Sequence, residues 1–307
     1  MKTTLTVMAA GMGSRYGGNK QTDGVGPHGE TLMEYSVYDA IQAGFRKIVF
    51  IIKPDAENAM ETLIGKKLAA FRLPNGERIE YAYAYQDFSS IPAFYTIPAG
   101  RTKPFGTGHA LLCAADAIQE PFAVLNADDY YGPDAFRVMH QALTVMPPQG
   151  HAAMVGYVLK NTVSTGGTVS RGICEVQDGI LQGVTERLKI GYRPDGSLWD
   201  AESGMPLDAE SIVSMNLWGF APSFFPRLKE RFETFLREQA GDNPKAEYQL
   251  PTVVNAEMQN GNLTVSVLHS TAVWFGMTYH EERAQVAEKL QKLHENGIYP
   301  DNLWKSV

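Results

Sequence analysis

The most constraining feature of this chain is a short apolar run, Leu5-Thr6-Val7-Met8-Ala9-Ala10, that passes straight into Gly11-Met12-Gly13-Ser14-Arg15-Tyr16-Gly17-Gly18-Asn19-Lys20-Gln21. Residues 4–9 read as a buried strand, and the stretch from Gly11 to about Gly29 reads as a glycine-rich loop. Glycines placed there let backbone N–H groups approach phosphate oxygens closely. Two familiar phosphate-binding patterns do not fit. The dinucleotide fingerprint needs a glycine where Tyr16 stands. Gly13 and Gly18 have P-loop spacing, but Asn19 precedes Lys20 and Gln21 follows it. The loop is set apart by two cations, Arg15 and Lys20, among its glycines. Backbone amides can hold a triphosphate while an Arg and a Lys neutralise the phosphates that react. A plain glycine turn with two solvated basic residues is the competing reading, and the glycines alone leave both standing.

Beyond the loop, helix and strand patterns alternate. Residues 32–43 have helical spacing and stop at Gly44, 47–52 form a continuous apolar strand closed by Lys53-Pro54, and a helix is expected over about 55–69. A strand over 79–85, a proline-containing loop over 86–106, a helix over about 107–118 and a strand over 122–126 follow. This order predicts an α/β fold with a mixed, mostly parallel sheet flanked by helices. The second half differs, with strands expected over 152–159, 172–176, 180–185 and 211–220 and a hairpin turn at Gln177-Asp178-Gly179. A loop or flap over 191–209 and helices over about 223–239, 248–259 and 280–294 complete the reading. There is no internal repeat and no clear linker. A single α/β domain over 1–307 is expected, with a nucleotide half (1–150) and an acceptor half (151–307).

Composition narrows the partners. Lys and Arg total 27 against 34 Asp and Glu, a net charge of −7, which argues against nucleic acid. No stretch approaches the ~20 apolar residues of a membrane span. Lys2 and the apolar run after it look faintly like a secretory leader, but the run is too short. Two cysteines, Cys113 and Cys174, support neither a disulfide framework nor a metal cluster, so a reduced, cytoplasmic protein is expected.

Several strings, taken in order, carry a resemblance. MAAGMGSR resembles the L-A-A-G-x-G-[TS]-R signature of the sugar nucleotidyltransferases, the NDP-sugar pyrophosphorylases. Asn19-Lys20-Gln21 is similar to the segment that supplies that family's second catalytic cation, and GPHGETLMEYSVYDAIQAGFRKIVFII to its first helix and second strand. The resemblance implies a GT-A-like nucleotide-diphosphosugar transferase fold. It also implies Arg15 and Lys20 as catalytic cations, and Ala10, Gly11, Gly13, Ser14 and Arg15 around the nucleotide.

Pro104-Phe105-Gly106-Thr107-Gly108-His109-Ala110 resembles the family's G-T-A-x-A segment, which lies against the nucleobase, and Thr107 also suits a helix cap. The family's base-reading Gln sits five residues earlier, where this chain has Arg101. Asn126-Ala127-Asp128-Asp129-Tyr130-Tyr131-Gly132 resembles the metal motif, placing Asp128 on Mg²⁺, with Asp129 where a sugar-side residue belongs. Arg171-Gly172-Ile173 resembles the turn that meets the sugar. Val184-Thr185-Glu186-Arg187 resembles V-x-E-K, implying Glu186 on sugar hydroxyls and Arg187 or Lys189 on the sugar phosphate. Asn216 is a further sugar contact, and Trp218 reads as core. Trp274-Phe275-Gly276 resembles the W-x-D motif, with Gly276 where a second metal-binding Asp is expected.

The implied reaction is NTP plus sugar 1-phosphate giving NDP-sugar and pyrophosphate, with Mg²⁺ and with homo-oligomerisation left open. Two other readings stand beside it. One is a cytidylyltransferase for a non-sugar phosphate such as phosphocholine. The other is a non-catalytic regulatory paralogue, suggested by Gly276 and Arg101.

Overall fold

The computed structural model describes residues 1–11, 24–164, 166–276 and 282–305. The chain runs β1 (Thr4–Met8), α1 (Leu32–Ala43), β2 (Lys47–Ile52), α2 (Glu57–Met60), α3 (Lys66–Ala70), β3 (Glu80–Tyr85), α4 (Thr107–Cys113), β4 (Phe122–Asn126), β5 (Asp129–Tyr130) and α5 (Pro133–Thr144). It continues β6 (His151–Val158), β7 (Val169–Gln177), β8 (Ile180–Tyr192), β9 (Leu198–Asp200), β10 (Ile212–Phe220), α6 (Phe224–Phe235), α7 (Leu250–Gln259), β11 (Thr264–His269), β12 (Phe275–Gly276) and α8 (Glu282–Glu295).

One sheet runs through both halves in the order β3-β2-β1-β4-β10-β6-β11-β8-β7, with β9 on β8. Its first four strands are all parallel. Side chains alternate across them. Ile48, Phe50 and Ile52 join a core under α1 and α5, while Val49 and Ile51 join the core under α4, α6 and α7. Burial on both faces is why these strands are continuously apolar.

The expectation of a mostly parallel sheet is corrected beyond β4. There β10 runs antiparallel to β4, β6 and β7, β8 to β7, β9 and β11, and only β6–β11 is parallel. The tight Asp178-Gly179 turn, both residues at positive φ, forces β7 and β8 into an antiparallel hairpin. The architecture is mixed α/β.

Local signals explain most element ends. A capping box starts α1, with Glu34 N–H donating to Thr31 Oγ1 and Thr31 N–H to Glu34 Oε2, and Gly44 at φ 119° ends it. The helix expected over 55–69 is present as a continuous helical run over 57–70, in which a π-turn at Glu61–Gly65 joins α2 to α3. The helix expected over 107–118 stops at Cys113 and gives way to a 3₁₀ turn. Strands β7 and β8 are longer than expected, and α5 and β11 are additions.

Candidate active site

Strand β10 changes partner along its length. Val213 and Ser214 pair with β7, whereas Trp218 to Phe220 pair with β4. Between them the register jumps, and Asn216 takes φ 62°, a left-handed conformation that Asn tolerates better than most residues. The sheet therefore parts just beyond the carboxyl ends of β1 and β4, the kind of crevice where open α/β sheets hold ligands. Ala10 and Gly11 follow β1 there, and Asn126 ends β4. Gly13, Ser14, Arg15 and Lys20 lie outside the described residues.

Asp128 and Asp129 follow β4 directly. Asp129 is the first residue of β5, which forms a two-residue antiparallel ladder with β12, placing Asp129 opposite Gly276. Asn126 Nδ2 donates to Asp129 Oδ2 at 3.0 Å. The Tyr131 hydroxyl lies 3.3 Å from the same oxygen and 2.9 Å from the Met215 carbonyl, and it accepts from Asn126 N–H at 3.1 Å. Tyr131 thus ties the ends of β4 and β5 to the irregular part of β10; it stands inside the metal-motif string, which assigns it no role. Burial raises the Asp129 carboxyl above the usual carboxylate range and the Asp128 charge adds to this, while the Asn126 hydrogen bond, Arg171 and Tyr131 oppose it.

On the acceptor side, Gly172 and Glu186 are cross-strand partners on β7 and β8, so they share a face. A Cβ on Gly172 would sit 2.7 Å from Val184 Cγ1, 3.5 Å from Glu186 Oε2 and 3.8 Å from Ser214 Cβ, so the glycine lets Val184 pack close beside Glu186. Partial burial raises the Glu186 carboxyl, with Arg171 opposing. The next residue points the other way: Arg187 reaches Asp200 on β9 at 3.4 Å. Lys189 is exposed. Arg171 is buried, donates to the Thr162 and Ser170 carbonyls, and lies 4.6 Å above the Trp274 ring. A cavity of about 200 Å³, lined by Arg171, Trp274, Gly276, Glu282 and Lys289 among others, opens beside the β12 end of the ladder.

At the opposite wall, Gly106 has φ 91° and a Cβ there would lie 3.2 Å from the Tyr248 carbonyl. Gly108 N–H donates to that carbonyl at 2.9 Å. Thr107 does not cap α4; its Oγ1 accepts from Leu250 N–H at 3.0 Å and so serves the start of α7. Arg101 is also committed elsewhere, donating to the carbonyls of Pro104, Asn243 and Ala246 and stacking 3.6 Å over Phe105. The glutamine near Gly106 is Gln86, the first residue after β3, whose Nε2 donates to the Gly106 carbonyl at 2.9 Å. Counting back from Gly106 missed it because the loop between Gln86 and Gly106 is long; its place at a parallel strand's carboxyl end was the usable signal.

Trp218 is fully buried, as expected, and so is His109, which burial lowers to about 4 and keeps neutral. Cys113 and Cys174 are both free thiols. Among the described residues, no helix is long and apolar enough to cross a membrane.

No family model matches the chain, and no curated protein matches it by sequence. Solved structures do. A protein assigned as a glucose-1-phosphate thymidylyltransferase from Bacillus anthracis, in complex with a sucrose, superposes with a TM-score of 0.63 at 13% identity, over 99% of this chain and 100% of that one. A UDP-glucose pyrophosphorylase complexed with UDP-glucose gives 0.57 at 17% identity, over 95% and 99% of the two chains. An inositol-1-phosphate CTP transferase from T. maritima gives 0.57 at 11%, over 95% and 96%. The chain has a sugar-nucleotidyltransferase-like fold.

Proposed function

We propose that this chain is a nucleotidyltransferase that makes an NDP-sugar and pyrophosphate from an NTP and a sugar 1-phosphate. One observation carries the reading. In a fold shared along nearly the whole chain with such enzymes, the Asp128-Asp129 pair stands at the carboxyl end of β4, beside the place where β10 changes partner. The GT-A-like description fits the parallel β3-β2-β1-β4 region.

The two substrates are polyanions, so the chemical difficulty is bringing them together. A sugar phosphate oxygen attacks the α-phosphorus, the bond to the β-phosphate oxygen breaks on the far side, and pyrophosphate leaves. The nucleophile is already an anion, so no general base is required. Catalysis then rests on positioning and charge neutralisation. Arg15 and Lys20 supply the cations on the glycine loop. Gly106 and Gln86 form the wall for the base, and Gly172, Glu186 and Asn216 the wall for the sugar; Arg187 and Lys189 alternate to the other face of β8 and are left out of this wall.

The donor set at β4 fits a hard cation, since Mg²⁺ takes one or two carboxylates with phosphate oxygens and water. Asp128 would hold it, and the chemistry it supplies when bound is charge neutralisation on the triphosphate.

A pyrophosphate-release screen of the four NTPs against a panel of sugar 1-phosphates tests the reading. The expected result is release with one preferred NTP and a sugar 1-phosphate. Release only with CTP and phosphocholine or a polyol phosphate would favour the cytidylyltransferase reading, to which the inositol-1-phosphate CTP transferase likeness lends weight. Nucleotide-sugar binding without release under any combination would identify a non-catalytic protein.

A further inference from the structure

We infer that the carboxylate absent at position 276 comes from across the ladder, and that Asp129 is the second acidic group of the cation site. The inference rests on the nucleotidyltransferase reading. Directly opposed residues of an antiparallel pair project from the same face, with Cβ atoms about 4.5–5.5 Å apart. Asp129 and Gly276 are such a pair. A carboxylate on either strand therefore reaches the same volume.

That volume admits one side chain. A Cβ built on Gly276 would lie 2.7 Å from Asp129 Oδ1, closer than real Cβ atoms come, and 3.0 Å from Trp274 Cζ2, a tight contact. Glycine at 276 thus leaves the Asp129 carboxylate its present place, and a side chain there would have to push Oδ1 aside. The orientation of Asp129 is fixed from behind. Asn126 Nδ2 and the Tyr131 hydroxyl both approach Oδ2, and among the described residues no donor approaches Oδ1, the oxygen that faces Gly276. One oxygen is anchored and the other is left for a ligand, beside Asp128 in the next residue.

Other acids could in principle replace the one absent at 276, and three of them have partners of their own. Glu247 is exposed and accepts from Gln249 Nε2. In the 191–209 stretch, Asp195 accepts from Ser197, and Asp200 from Ser203 and Arg187.

The test uses Mn²⁺ as the probe, with binding to the full chain followed by electron paramagnetic resonance with and without NTP, alongside thermal unfolding. Asp129→Asn is expected to weaken Mn²⁺ at least tenfold, as Asp128→Asn does. The exchange variant Asp129→Gly/Gly276→Asp is expected to recover most of the affinity, because it moves the carboxylate back across the ladder. Gly276→Asp alone is expected to gain no affinity and to lower the melting temperature, since its Cβ meets Asp129. Mn²⁺ binding unchanged in Asp129→Asn but weakened in Asp128→Asn would overturn the inference while leaving the enzyme reading intact. Gly276→Asp alone tightening Mn²⁺ tenfold would overturn it as well. Absence of Mn²⁺ binding by the unaltered chain with every NTP would bring down the enzyme reading, and the inference with it.

Discussion

Strand β2 buries Ile48 to Ile52 without a gap, whereas β8, more than twice as long, buries only Leu181, Ile190 and Gly191. The inner parallel strands β1, β2 and β4 are sandwiched between helices on both faces and have almost no side chain to spare for a ligand. What the proposed function takes from the parallel region lies just past its strand ends: Gln86 after β3, and Asp128 and Asp129 after β4. The antiparallel region has polar side chains on exposed strand faces, and it contributes Gly172 and Glu186 from strand interiors. On the proposed function, the parallel region would hold the reacting phosphates in a fixed frame, and the antiparallel region would read the acceptor from a face that substitutions can reshape without unfolding a core.

If that division holds, changes at parallel-strand ends act on turnover. Arg15→Ala and Lys20→Ala are each expected to lower kcat by ~10²-fold or more with the fold intact, since charge-stabilising groups of this kind are worth about 3 kcal/mol. Steady-state pyrophosphate release and circular dichroism check both halves of the statement. Near-normal turnover in folded variants would remove the loop from the chemistry.

Arg101 and Gln86 sharpen the comparison, because sequence spacing and structure assign them differently. Arg101→Met leaves the carbonyls of Pro104, Asn243 and Ala246 without this donor. It is expected to cost about 2–3 kcal/mol of unfolding free energy in a denaturant titration while leaving the order of NTP preference unchanged. Gln86→Ala is expected to do the reverse, altering NTP preference with little loss of stability. A change of base preference in Arg101→Met would return that residue to the nucleotide wall.

Glu186 tests the acceptor side. Glu186→Gln is expected to raise KM for the sugar 1-phosphate ~10-fold, with a smaller effect on kcat, as the loss of a charged hydrogen-bond acceptor suggests. A pure kcat loss would place Glu186 with the reacting groups and blur the division between the regions.

Legibility in the sequence follows the same division. The β1, β2 and β4 strands were plain because burial on both faces makes them uniformly apolar. Helix α5 also carried its signals, with Pro133 at its first position and Phe136, Met139 and Leu143 spaced along one buried face, and could have been found. Strand β11 was harder: of Thr264 to His269 only Val265 is fully buried, so its period is faint. The β5–β12 ladder has two residues per strand, and no periodicity can announce it. That ladder pairs Asp129 with Gly276, so the departure at 276 was visible in the sequence while its counterpart was not. Motif order brought Asp128, Gly172 and Glu186 to the crevice, but which way Arg187 points depends on strand alternation, and Tyr131 acts through a hydroxyl that no motif records.

The smallest expected effect lies where the two regions are tied together. Asp134, in the first turn of α5, accepts from Thr271 N–H at 2.8 Å, from Ser270 Oγ at 3.0 Å and from Thr271 Oγ1 at 3.1 Å, just ahead of Trp274 and β12. Burial alone would raise its carboxyl, but these hydrogen bonds and Arg137 outweigh it and hold the group down at about 2. A carboxyl whose folded value lies below its unfolded value of about 3.9 adds stability at higher pH and loses it as the pH falls through the folded value. Asp134→Asn should therefore cost about 1–2 kcal/mol at pH 7, and the difference from the unaltered chain should shrink between pH 4 and pH 2. Denaturant titrations at pH 7, 4 and 2.5 read this directly. A gap between the two proteins that stays constant across that window would mean that the segment leading to β12 is held by something other than the Asp134 charge. The link between the frame and the acceptor face would then have to be sought in the Tyr131 hydroxyl instead.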